Sequence, residues 1–360
     1  MYVAVKGGRE AIENAAQAFR HQQVRGDSDP VALEQIREQL VLAVDKVMGE
    51  GGIYDPDYAA LALKQTAGDV LEASFMLRAF CTTQPRFGYS LPRDTSDMRV
   101  VRRISAAFKD IPGGQVLGPT SDYLLRLLNF ELVEENDPGY RNTLTGLLSA
   151  LPDADPLPDQ FPKVVDLLRR EGLLETPGSD EEAPPLIDIT RESLRFPAPR
   201  SAALQSMARA ETGGLLALAY SNMRGYGMVH PTVGELRVGY LPVYVTNPYT
   251  DEPERVGDVK VTECEIISET RDDSDELPRF SLGYGLCLGH NETKAISMAV
   301  LDRATQAEEP RVPSEDQEFV LLHTEGIESM GFCNHFKLPH YVTFQSALDR
   351  LRTSRENLQS

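Results

Sequence analysis

Between residues 131 and 200 the sequence gathers proline and acid in DADPLPDQFP, ETPGSDEEAPP and RFPAPR, and this stretch limits the fold more than any other. Proline lacks the N–H that a helix interior or a central strand needs, so no long regular element can run through it. Within it only KVVDLLRREGLLE has helical spacing. The stretch reads as a variable linker or insertion holding one helix, and it divides the 360 residues into two foldable parts, 1–130 and 201–360.

The two parts differ in period. YVAVKGG reads as a short strand, EAIENAAQAFRHQ as a helix, and residues 31–48 place Leu33, Ile36, Leu40, Val44 and Val47 at helical spacing. Residues 57–65 and 69–80 repeat that pattern, so the first part is mainly helical. After residue 200, TGGLLALAYSNMRGYG is densely apolar. ELRVGYLPVYV, DVKVTECEII and RFSLGYGLCLG read as strands, and TKAISMAVLDRATQ reads as a helix. Strands this close in sequence pair antiparallel, which gives an α+β chain: a mainly helical N-terminal part and a mixed C-terminal part.

Charge separates the parts as well. Lys plus Arg is 36 and Asp plus Glu is 55, a net charge of −19, which excludes a protein whose main work is gripping nucleic acid or anionic lipid. Seven basic residues between Arg78 and Lys109 face only Asp94 and Asp97, a local excess of +5. No stretch is apolar enough to span a membrane and no secretory leader is visible, so a cytoplasmic protein is expected. Cys81, Cys264, Cys287 and Cys333 have no CxxC spacing and are expected to be reduced and mostly buried.

Three motifs could carry chemistry. In CNHFKLPHYVTF, His335 and His340 flank a turn forced by Pro339, and two imidazoles so placed can share one divalent metal. Two ligands make an incomplete site, for which Cys333 and His323 are candidate additions; the alternative is a hydrogen-bonded pair of turn histidines. In RVVRRISAAFKDIPGGQVLGPTSDYLLRLL, Arg102, Arg103 and Lys109 precede the turn at Gly113 and Gly114, and Thr120 or Ser121 is placed to cap a following helix. Such a turn suits a phosphorylated ligand; the alternative is a basic face paired with an acidic surface. GYGLCLG, from Gly283 to Gly289, has GxGxxxG spacing and reads better as a tight turn than as a dinucleotide fingerprint. The sequence has no GxxxxGK[ST], GxSxG or HExxH.

Taken together, YVAVKGG, RRISAAFKDIPGGQVLGPTSDY, LLALAYSNMRGYGMVHP with GELRVGY, TECE, GYGLCLG with KAISMAVLDRA, and EFVLLHTEGIESMGF with HFKLPHYVTF resemble the PhnI family of bacterial carbon–phosphorus lyase subunits. The blocks cover roughly 1–130 and 201–350. The resemblance implies an α-D-ribose 1-methylphosphonate 5-triphosphate synthase subunit, in which a phosphonate displaces adenine from MgATP at the ribose anomeric carbon. It implies nucleosidase activity on ATP or GTP for the chain alone. It further implies partners PhnG, PhnH and PhnJ, the ATP-binding-cassette-type PhnK and PhnL, and a divalent metal, expected to be zinc, held by His335 and His340 at the junction with PhnJ.

A reaction of that kind passes through an oxocarbenium-like state and calls for a proton donor to the leaving base. Glu263 and Glu265, two apart in a strand, would share a face, so one could have its pKa raised toward general-acid use. A solvated strand face is the alternative. The other functional reading is a non-catalytic docking subunit that completes a metal site at the PhnJ interface.

Overall fold

The computed structural model describes residues 8–133, 138–149, 158, 160–174, 187–227, 229–269 and 278–359. Helix α1 (Gly8–Gln22) comes first, and the expected strand before it lies outside the described residues. Then α2 (Leu33–Gln39), α3 (Val41–Gly51), α4 (Pro56–Gln65) and α5 (Val70–Thr83) enclose a small core of Ile36, Val44, Val47, Met48, Ala59, Leu63, Ala73 and Leu77. The single helix expected over 31–48 is two, because Leu40 leaves helical geometry (φ −106°, ψ 40°). The following helices start where their carboxylates cap them: Asp55 accepts from the N–H groups of Asp57 and Tyr58, and Asp69 from those of Leu71 and Glu72.

One sheet organises the rest. Strands β1 (Arg99–Ile104), β2 (Thr232–Thr246), β3 (Pro253–Glu269) and β4 (Phe280–Leu288) lie in that order, every pair antiparallel. The expectation of an α+β chain with antiparallel strands is met. The sheet nevertheless crosses the division read from the sequence, since its edge strand β1 comes from the mainly helical part. Helices α6 (Pro138–Ser149), α7 (Val165–Arg170), α8 (Arg200–Arg209) and α9 (Thr212–Ser221) lie between β1 and β2, and the densely apolar run ends in a wide turn at 222–226.

Helix α10 (Glu292–Ala304) crosses one sheet face. Ala295, Met298, Ala299, Val300 and Leu301 are fully buried between that face and the α8–α9 layer. The glycines of GYGLCLG make this approach possible: a Cβ on Gly283 or Gly285 would stand 2.1 Å from the carbonyl oxygens of Ala299 or Ala295. Close helix packing therefore accounts for the motif. Helices α11 (Gln317–His323), α12 (Gly326–His335) and α13 (Tyr341–Gln359) complete the chain.

The opposite sheet face is covered by residues 160–174, where the sequence pattern indicates linker. Phe161 packs with Met98, Leu241 and Val261, while Val165, Leu168 and Leu174 pack with Ile267. The proline-rich stretch thus contributes part of the core. A second correction concerns Thr120 and Ser121, which cap no helix: residues 121–129 are turns and irregular chain. Of the cysteines, Cys264 and Cys287 are buried, whereas Cys81 is half-buried and Cys333 exposed.

Candidate functional site

Between the two apolar patches on the covered face lies a buried ionic cluster. The register sets Arg237 opposite Glu263 and Glu235 opposite Glu265, so strand alternation puts all four on one face. Glu263 Oε1 accepts from Lys163 Nζ (2.7 Å), Thr95 Oγ1 (2.7 Å) and Tyr284 Oη (3.0 Å), and Glu263 Oε2 from Arg237 Nε (2.9 Å). Glu265 Oε1 accepts from Lys163 Nζ at 3.1 Å, and its Oε2 is buried without a partner among the described residues.

The two carboxylates are driven apart. Burial pushes Glu263 up, but the charges of Arg237 and Lys163 outweigh it and hold the group at about 2. For Glu265 burial prevails, aided by the like charges of Glu263 and Glu235, and its pKa rises. Both side chains lie beneath the 160–168 segment, at 2% and 6% exposure, so the alternative of a solvated strand face is excluded.

The basic motif is mostly turned inward. Arg103 is fully buried; its Nη1 donates to the carbonyls of Pro112 (2.7 Å) and Gly114 (2.8 Å), Nη2 to Pro162 (2.8 Å), and Nε to Glu235. Arg102, also buried, pairs with Glu292 at 2.7 Å and with Asp122. Protein acceptors engage every guanidinium nitrogen of Arg103 and the Nη groups of Arg102, and Arg102 Nε is buried beside Glu292, so the expectation that they hold a phosphate directly is corrected: Arg103 builds the turn of Gly113 (φ +82°) and Gly114 (φ +79°). Within that motif set Lys109 and the two glycines stand exposed.

The histidine motif behaves as its spacing predicts. Helix α12 ends at His335, α13 begins at Tyr341, and the turn at Pro339 brings His335 Nε2 within 3.0 Å of His340 Nε2. His340 Nδ1 lies 2.6 Å from the Leu338 carbonyl, which fixes the proton on Nδ1 and leaves the Nε2 lone pair facing His335. Two nitrogens on one tetrahedral zinc stand roughly 3.3 Å apart, given Zn–N near 2.0 Å, so the pair fits two ligand positions. Among the described residues no group of three or more His, Cys, Asp or Glu gathers there, and neither Cys333 nor His323 completes the set. Instead, His323 Nδ1 bonds the Phe319 carbonyl and its ring stacks on Phe319.

Around the pair the surface is apolar, with Phe332, Phe336, Leu338, Tyr341, Val342 and Phe344 all exposed. A sequence model described as bacterial phosphonate metabolism protein (PhnI) matches residues 1–358. The chain belongs to the PhnI family. Among its relatives, HtxH of Stutzerimonas stutzeri, named as a C-P lyase subunit protein, is 55% identical over 99% of this chain and 96% of its own length. The α-D-ribose 1-methylphosphonate 5-triphosphate synthase subunits PhnI of Escherichia coli and Rhizobium meliloti are 47% identical (98% of each chain) and 44% identical (99% of this chain, 95% of theirs).

Sequence reasoning about this PhnI-family chain missed Lys163, Arg237 and the His290–Glu292–Arg102 chain, in which His290 Nε2 lies 2.9 Å from Glu292. Period-2 alternation in ELRV could have placed Glu235 and Arg237 on the TECE face. Nothing local announces Lys163, about 100 residues from its partners.

Proposed function

We infer that this chain is a subunit of a carbon–phosphorus lyase core complex, acting with partner subunits as an α-D-ribose 1-methylphosphonate 5-triphosphate synthase. The near full-length likeness to subunits carrying that name supports the reading. The observation that carries it in the structure is the exposed His335–His340 pair, two converging Nε2 atoms on an apolar surface that another subunit can cover. An incomplete ligand set of this kind is finished by a partner residue, water or substrate.

In this reading His335 and His340 hold a divalent metal, zinc being the proposed one, shared with PhnJ. Bound there, the metal supplies Lewis acidity toward a phosphorus-bound oxygen. The chain's own part is to fix both imidazoles: α12 and α13 set the rings, and the Leu338 carbonyl sets the tautomer of His340. PhnG, PhnH, PhnK and PhnL are the further proposed partners, in the cytoplasm, and among the described residues no helix is long and apolar enough to cross a membrane.

For the ribosyl transfer from MgATP to an alkylphosphonate, Lys109 with the Gly113–Gly114 turn is the proposed phosphate contact, and Glu265, the carboxylate with the raised pKa, the proposed proton donor. The test is release of adenine from MgATP by the full-length chain, alone and with its partner subunits, beside metal analysis of the wild-type and His335→Ala complexes. Adenine from the chain alone places nucleosidase chemistry in it. No adenine in any combination leaves the docking reading. Full metal retention in His335→Ala removes the histidine assignment.

A further inference from the structure

The 189–194 loop, the end of α8 and the facing parts of α5, α11 and α12 enclose a polar cleft of about 420 Å3. Three arginines, Arg78, Arg191 and Arg209, reach it from three different elements. Arg78 is matched at its Nη atoms, Nη1 donating to Glu325 Oε1 at 2.7 Å and Nη2 to the carbonyls of Glu50 and Arg209 at 2.6 and 2.9 Å, and only its Nε is buried without a partner among the described residues. Arg209 is not matched. Among the described residues nothing accepts a hydrogen bond from it, and its Nε is buried without a partner.

The side chain is held in that position. Nε lies 3.1 Å from where a Cβ on Gly52 would stand, and Gly52 closes α3 with φ +71°, so the guanidinium rests on a spot that glycine alone leaves open. Burial, and then the neighbouring charge of Arg78, act against its protonated form. A half-buried cation beside a second cation costs folding free energy unless something supplies the missing acceptor.

We propose that this cleft binds a small ligand bearing one tetrahedral oxyanion, a phosphate or phosphonate group, with Arg209 and Arg191 as its principal donors. Two guanidinium groups from two elements, with the serine hydroxyls beside them, offer more donors than the two oxygens of a carboxylate can use. The hydroxyls of Ser193 and Ser206 line the same wall, and the volume admits a short organic substituent. Glu192 and Glu328 stand exposed on the rim, where they disfavour a polyanion such as a triphosphate. The cleft lies at the start of α12 and the histidine pair at its end, ten residues or about 15 Å away along the helix. The inference rests on this geometry and is independent of the ribosyl-transfer reading.

The test is isothermal titration of the full-length chain with inorganic phosphate, methylphosphonate, acetate and MgATP. Saturable one-to-one binding of phosphate or methylphosphonate is expected, at least tenfold weaker in Arg209→Gln and Arg191→Gln, with acetate weaker than either. Arg191 is on an exposed loop, so its variant reads the cleft even if Arg209→Gln fails to fold. Tighter binding of methylphosphonate identifies a phosphonate as the source, and equal binding identifies free phosphate as well. Absence of saturable binding at millimolar ligand, affinity unchanged in both variants, or MgATP as the tightest ligand would each overturn the assignment.

Discussion

Lys163 stands 2.7 Å from Glu263 and 3.1 Å from Glu265, yet the two carboxylates answer acid in opposite senses. Glu263 falls from 4.5 to about 2 on folding, so the stability it confers is present above pH 4.5 and lost as pH drops toward 2, roughly 3 kcal/mol in all. Glu265 is raised, so its stabilising effect is full below pH 4.5 and disappears as pH climbs through its folded-state pKa. Glu265→Gln should therefore leave stability at pH 7 unchanged or higher. Glu263→Gln should lower it by about 3 kcal/mol, because Arg237 is left buried without its partner. Urea unfolding at pH 3, 5 and 7 checks both, and a Glu265→Gln protein that loses more stability at pH 7 than at pH 5 would contradict the assignment. Lys294 is a related case: it is 1% exposed, its Nζ has no partner among the described residues, and burial lowers its pKa. Lys294→Met should be neutral or stabilising in a thermal melt at pH 7, since a methionine of similar length fills the space without a charge to desolvate.

The contact of α10 with β4 is set by glycine. Gly285→Ala forces a Cβ to 2.1 Å from a helix carbonyl, and with neither backbone free to retreat the expected loss is about 3 kcal/mol in denaturant unfolding. Gly257→Ala, where a Cβ meets open space, is the control. These elements also show what could be read from sequence. Helices α4, α5 and α10, strands β2 to β4 and the His335–Pro339–His340 turn depend on local spacing and caps, and the sequence pattern finds them. The fate of Arg102 and Arg103 depends on Asp122, Glu235 and Pro162, whose approach is fixed only when the sheet closes. A run of arginines looks the same whether it faces solvent or holds a buried turn. The covering role of Phe161 and Lys163 is hidden for the same reason, inside a stretch whose prolines suggest a linker.

At the scale of the whole molecule, apolar surface stands open on the α12–α13 face and along residues 123–133, where Leu124, Leu125, Leu127, Leu128 and Phe130 are all 66% exposed or more. Monomers seldom leave so much uncovered, and a subunit of a larger assembly has reason to. Leu125→Asp with Leu128→Asp should abolish recovery of the complex by affinity purification while the circular dichroism of the isolated chain stays unchanged. Intact recovery would mean that this segment faces no partner. The sheet has a further consequence in time. Its edge strand ends at Ile104 and its neighbour begins at Thr232, so a ribosome adding about 5–20 residues per second delivers β1 roughly 6–25 s before β2 can pair with it, and Val116, which exchanges two backbone hydrogen bonds with Arg103, reaches it sooner on the other side. During that wait the side of β1 that will meet β2 is an open edge, and the adjacent arginines that later hold the buried turn are charges of the kind that discourage such an edge from joining another.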